Sequence, residues 1–167
     1  MLLAFTSTQA WDPKELEEAV AKGQVTIDAL LENNPSMQRY FDAAAGYVVI
    51  PSVAKGGIGI GGARGKGLLY ENGAPTAEVT MTQLSIGFQW GGQAYSEFIF
   101  FENAASLEHF KRGNFELGAQ ASAVAVTVGA SIDAGYVSGV AFFKQAIGGL
   151  MYEAAVGGQK FKVIALN

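Results

Sequence analysis

The apolar positions change their period about a third of the way along the chain. Up to Gly46 they recur at helical spacing. Asp12-Pro13-Lys14-Glu15 predicts a helix start. Asp12 caps it, Pro13 suits the first helical position, and Glu15 can close a capping box. Leu16, Ala19 and Val20 form the apolar stripe, Gly23 predicts the stop, and a second short helix is expected over Thr26–Glu32. Asn34-Pro35 opens one more stretch of helix, with Met37, Tyr40 and Phe41 on one side and Gly46 as its end.

Beyond that point the period is two. Tyr47–Ile50 is a continuous apolar run, and Thr76–Trp90 alternates with a phase change near Gln83, which predicts a bulge or a break between strands. Further strands are expected over Tyr95–Phe101, Phe115–Val128, Val137–Lys144, Gly149–Ala155 and Lys160–Ala165. In the last, Phe161, Val163 and Ala165 face one way while Lys160 and Lys162 face the other. Asn103–Arg112 interrupts as a helix, with Leu107 and Phe110 inward and Gly113 as its stop, and Glu71-Asn72-Gly73 signals a hairpin. The paired rings of Phe100-Phe101 and Phe142-Phe143 point to both faces of their strands, so both faces must be covered or lipid-facing. Val79–Ser96 carries no charge, but its polar residues keep the period near two, so it reads as sheet and not as a membrane helix. The predicted fold is α+β: N-terminal helices packed on a curved, mostly antiparallel, glycine-rich sheet or barrel.

Composition narrows the function. The 167 residues fit one domain over 11–167, with 1–10 as an N-terminal extension or signal-peptide remnant. Half the residues are hydrophobic and 16% are charged, which excludes a disordered tail. The absence of cysteine excludes disulfides, thiolate metal sites and cysteine nucleophiles, and the single histidine, His109, excludes a multi-histidine metal site. The net charge of −4 argues against nucleic acid as a partner. No metal or other cofactor is expected.

The charges are unevenly placed. Seven of the acidic residues fall before Gly46, whereas Lys55, Arg64 and Lys66 are the only charges in Ala43–Tyr70. A hairpin would bring these three to one end, which makes them candidates for contact with anionic head groups. The surplus of large apolar side chains suggests a groove between helices and sheet for an acyl chain. Trp11, Leu16, Val20, Phe88 and Trp90 are the candidate lining residues.

The densest motif is the glycine run from Gly56 to Gly67. Gly57, Gly59 and Gly62 satisfy G-x-G-x-x-G, but Gly67-Leu68-Leu69-Tyr70 reads as a strand where a dinucleotide site needs a helix. Lys66 is followed by Gly67, which rules out a P-loop. The glycines read instead as strands whose backbones approach closely. No G-x-S-x-G elbow occurs, His109 reads as a helix-surface residue beside Glu108, Glu97 and Glu153 stand isolated in strands, and Asp133 reads as a turn residue. No catalytic residue is assigned. Leu2–Phe5 followed by Thr6–Ala10 resembles the end of a signal peptide, which would place the protein in the periplasm or cell envelope; a cytoplasmic location is the alternative.

Several stretches, in order, carry a family resemblance. Ala44-Ala45-Gly46-Tyr47-Val48-Val49-Ile50 makes a small-residue turn into a strand. Lys55-Gly56-Gly57 and Gly62-Ala63-Arg64-Gly65-Lys66-Gly67 form a glycine-rich hairpin with embedded basic residues. Gly91-Gly92-Gln93-Ala94-Tyr95-Ser96 precedes the strand Glu97–Phe101, and Phe115–Ala119 and Lys144–Glu153 supply late strands. Over about Phe41–Lys162 this order resembles the SYLF domain family. The resemblance implies a lipid- or phospholipid-binding, membrane-associating module without catalytic activity, similar to bacterial stand-alone members. The Ala63-Arg64 order and the acidic N-terminal helices depart from the eukaryotic pattern, so neither an actin partner nor phosphoinositide specificity is expected. Two other readings remain: a small outer-membrane β-barrel, and an enzyme that binds a nucleotide through the glycine-rich loop.

Overall fold

The computed structural model describes residues 12–56, 62–84, 95–113, 123–125, 136, 138–146, 149–153 and 159–166. Helix α1 spans Pro13–Asn33, a 3-10 turn spans Pro35–Met37, and α2 spans Gln38–Ala43. Strands β1 (Gly46–Gly56), β2 (Gly62–Glu71), β3 (Ala74–Leu84) and β4 (Tyr95–Phe101) follow, then helix α3 (Ala104–Lys111). Strands β5 (Ala123–Ala125), β6 (Val140–Ala146), β7 (Gly149–Glu153) and β8 (Gln159–Ala165) complete the order.

The start signal of the first helix acts through Asp12 and Pro13, without the capping box expected of Glu15, and the stop expected at Gly23 is corrected. The Asp12 carboxylate accepts a hydrogen bond from the Lys14 N–H, and Pro13 opens α1. Gly23, however, is not a stop: α1 continues through it as a single helix to Asn33. The stripe Leu16, Ala19/Val20, Gly23, Ile27 and Leu30 keeps helical spacing across the glycine. Gly23 is there because the helix meets Tyr70: a Cβ would sit 2.5 Å from the tyrosine hydroxyl oxygen. A mid-helix glycine costs about 1 kcal/mol against alanine. Asn34 ends the helix, its backbone N–H donating to Leu30 O, and Pro35 follows. The Asn72-Gly73 turn has φ of +54° and +77°, the left-handed pair of a type I′ hairpin, and Gly113 past α3 has φ of +81°. Asn103 and Ser106 close a reciprocal capping box at the start of α3.

All strand pairs are antiparallel, in the order β5-β7-β6-β4-β1-β2-β3-β8. Among the described residues this sheet does not close, but it curls strongly. Strands β6 and β8 lie five positions apart in the order, about 24 Å if flat at the usual strand spacing. The rings of Phe142 on β6 and Phe161 on β8 nonetheless lie 6.5 Å apart. Part of the bend comes from β1, whose register shifts between Val49 and Val53 against both of its neighbours.

Two apolar cores result. The concave interior holds Val48, Ile50, Val79, Met81, Ile99 and Phe142, and α3 adds Leu107 and Phe110. On the convex side, Leu30, Met37 and Tyr40 of the helical segment cover Val49, Phe98, Phe100 and Phe143. The paired phenylalanines therefore serve both cores and none faces solvent; all four are fully buried. The predicted strand over Phe115–Val128 lies outside the described residues except for β5, as do residues 85–94 beyond the expected phase change.

Candidate functional site

On the convex side, α1 lies against β1 and β2, and beyond β2 the outer rows of the sheet are polar. On β2, Arg64 and Lys66 alternate with the interior-facing Ala63, Gly65 and Gly67, and both are exposed. The register fixes their neighbours. Arg64 lies opposite Thr82, and Thr82 opposite Lys160; Lys66 lies opposite Thr80, and Thr80 opposite Lys162. Two cross-strand rows, Arg64–Thr82–Lys160 and Lys66–Thr80–Lys162, thus place four cations on one exposed face of β2–β3–β8. Across each row the two cations are about 10 Å apart, and the rows are about 7 Å apart. The acid beside them is Glu78, in the next row between Leu68 and Ile164, whose carboxylate lies 3.5 Å from Lys66 Nζ. The four cations lie within about one Debye length of one another at 0.1 M salt, so their fields add.

The expected trio of basic residues is therefore only partly one site. Arg64 and Lys66 share a face. Lys55 is paired in register with Ala63, one residue out of step with Arg64, and its side chain lies outside the described set. Lys160 and Lys162 complete the face instead. Their alternation with Phe161 and Val163 signals an exposed row, but nothing short of the sheet order joins residues some ninety positions apart.

A groove also exists between α1 and the sheet, with a volume of about 230 Å³. Ala19, Val49, Pro51 and Leu68 give it an apolar floor, and Glu15, Glu18, Lys22 and Lys66 line it with charge. The expectation for its lining needs correction. Leu16 and Val20 pack into the convex core and do not line the groove, because the stripe facing it is Glu15, Glu18, Ala19 and Lys22, rotated around the helix from theirs. Trp11, Phe88 and Trp90 lie outside the described residues. Tyr70 forms part of the wall; burial, and secondarily the neighbouring Tyr47, push its phenol up to about 12, so it stays neutral at physiological pH. Its ring stacks on Tyr47 at 5.2 Å.

A polar layer lies inside the curl, at the end away from α3. The Glu97 carboxylate is fully buried and accepts from Gln159 Nε2 at 2.8 Å, and Gln159 Nε2 also donates to Gln83 Oε1 at 3.2 Å. Lys144 Nζ sits 4.8 Å from the centre of the Tyr95 ring. Glu97 is thus the tie that holds β4 to β8 across the interior and not the isolated strand acid that its sequence context suggests. On α3, His109 is exposed, and Lys111 bridges to Glu71 at 3.2 Å, joining the helix to the end of β2. A hydrogen bond from Thr76, with help from Lys111, holds the Glu71 carboxyl below its ordinary value. Among the described residues no three His, Cys, Asp or Glu side chains cluster to hold a metal ion. Gly62 opens a strand and not a helix, so the glycine run lacks the context of a dinucleotide loop.

The family model described as Ysc84, Las17-binding protein actin regulator, matches residues 82–161, from the end of β3 into β8. The match is consistent with a SYLF domain. The matched segment contains β4 to β7, α3, Glu97 and Lys160, while Arg64 and Lys66 lie before it. The cationic face therefore draws on residues inside the match, Lys160, and outside it, Arg64, Lys66 and Lys162. Comparison with curated proteins finds no match for the chain. No helix among the described residues is long and apolar enough to cross a membrane.

Proposed function

We propose that this chain is a non-catalytic SYLF module that associates with anionic phospholipid surfaces through the face made by Arg64, Lys66, Lys160 and Lys162. The observation that supports it most is the pair of exposed cationic rows, within which the register places no acid among the described residues. Near an anionic membrane each such side chain is worth about 1 kcal/mol, so four contribute about 4 kcal/mol, on the order of a thousandfold in affinity. The family is one of lipid-binding and actin-regulating domains, and of these two roles the cationic rows favour the first.

Co-sedimentation with vesicles tests the proposal. The protein should pellet more with vesicles rich in phosphatidylserine or phosphatidylglycerol than with phosphatidylcholine vesicles, and the difference should shrink with salt. Arg64→Glu, Lys160→Glu and Lys162→Glu combined should remove the difference with little change in melting temperature. A triple variant that pellets like the wild type would show that membrane attachment occurs elsewhere.

A further inference from the structure

The groove beside the cationic face has a chemistry that the face does not explain. Its floor is apolar, yet four charged side chains line it, two of each sign. Glu15, Glu18 and Lys22 lie on one stripe of α1, and none of them makes an ion pair among the described residues. Glu18 and Lys22 stand at i,i+4, in the favourable order for a helix pair, and still do not bond each other. Along the stripe the sign changes from negative to positive over one turn, about 6 Å. Lys66 faces them from β2 and belongs to the cationic rows as well, so the groove opens beside the surface that meets the membrane.

We infer that this groove holds one zwitterionic phospholipid, with part of an acyl chain on Ala19, Val49, Pro51 and Leu68. Its phosphate meets Lys22 and Lys66, and its ammonium group meets Glu15 and Glu18. A purely anionic head group would gain the two lysines and be repelled by the two glutamates; a head group carrying both charges uses all four. A volume of about 230 Å³ corresponds to roughly seven waters at about 30 Å³ each, which suits a stretch of one chain and not a whole lipid. The inference rests on the membrane reading and deepens it by naming a lipid taken up next to the docking face; of the face's residues it uses Lys66 alone.

The test uses soluble lipids with six-carbon chains, below their micelle concentrations, titrated into the full chain by calorimetry. Dihexanoylphosphatidylcholine should bind, and dihexanoylphosphatidylglycerol at least tenfold more weakly. Glu15→Lys with Glu18→Lys, both exposed on α1, should reverse that preference. Ala19→Trp should fill the groove and weaken phosphatidylcholine binding at least tenfold while leaving co-sedimentation with anionic vesicles intact. No binding of the choline lipid, equal binding of the two head groups, or unchanged binding by either variant would overturn the inference. Failure of the membrane reading has a separate signature: there the charge-reversed face loses nothing in vesicle sedimentation, whatever the groove binds.

Discussion

A methyl group added at Gly67 should unseat the sheet where it bends. Gly67 lies on the interior row of β2, between Gly65 and Leu69, directly under the irregular segment of β1. A Cβ built there would run into Val49 O and lie 2.8 Å from Val49 C and 2.9 Å from Ile50 Cα. All three are backbone atoms of a strand paired on both sides, so they cannot turn away as a side chain would. At Gly65 the closest atoms are Ile50 Cγ2 at 2.7 Å and Val53 Cγ2 at 3.0 Å, which can partly yield. Overpacking a core costs about 1–3 kcal/mol. Alanine returns about 0.5–1 kcal/mol over glycine in a strand by restricting the unfolded chain. The balance predicts that Gly65→Ala destabilises by about 1 kcal/mol. Gly67→Ala, which must part β1 from β2, should cost about 3 kcal/mol or more. Urea unfolding followed by circular dichroism measures this as a drop in midpoint at an unchanged slope. For a chain of this size each 1 kcal/mol lowers the melting temperature by about 2–4 °C. A Gly67→Ala protein as stable as the wild type would refute the close-approach reading of the glycine run. A larger loss at Gly65 than at Gly67 would refute the ranking of backbone over side-chain contacts.

Two further outcomes follow from local geometry. Tyr70 titrates near 12 in the fold against about 10 in the unfolded chain. Between those values the unfolded state has already lost the proton that the folded state keeps, so stability is full below pH 10 and falls as pH rises through 12. The loss should approach about 2 kcal/mol, and Tyr70→Phe should flatten that part of the stability-against-pH curve; an unaltered alkaline limb would contradict the burial argument. At α3, Asn103→Ala removes the acceptor for the Ser106 N–H and should cost about 1 kcal/mol, read as a lowered urea midpoint; no change there would mean that the helix is held by Phe110 packing alone.

Much of this protein is decided by its sequence, because many of its signals are local. The Asp12-Pro13 start, the Asn72-Gly73 turn, the Asn103 cap and the alternation of Phe161 and Val163 with Lys160 and Lys162 each depend on a few adjacent residues and elementary sterics. They settle where α1 and α3 begin, most strands and the α+β class. The family resemblance is legible for the same reason, as an ordered set of short patterns. Tertiary structure decided the rest. Gly23 reads as a stop until Tyr70, forty-seven residues later, is found against it. Glu97 reads as an isolated strand acid until the curl brings Gln159 to 2.8 Å. Arg64 and Lys66 lack half of their face until β8 pairs with β3, and the groove turns to Glu15, Glu18 and Lys22 only once α1 has chosen its rotation on the sheet. Each of these depends on contacts between residues far apart in the chain. The period of a strand or helix says which side chains share a face, but not which strand lies beside it.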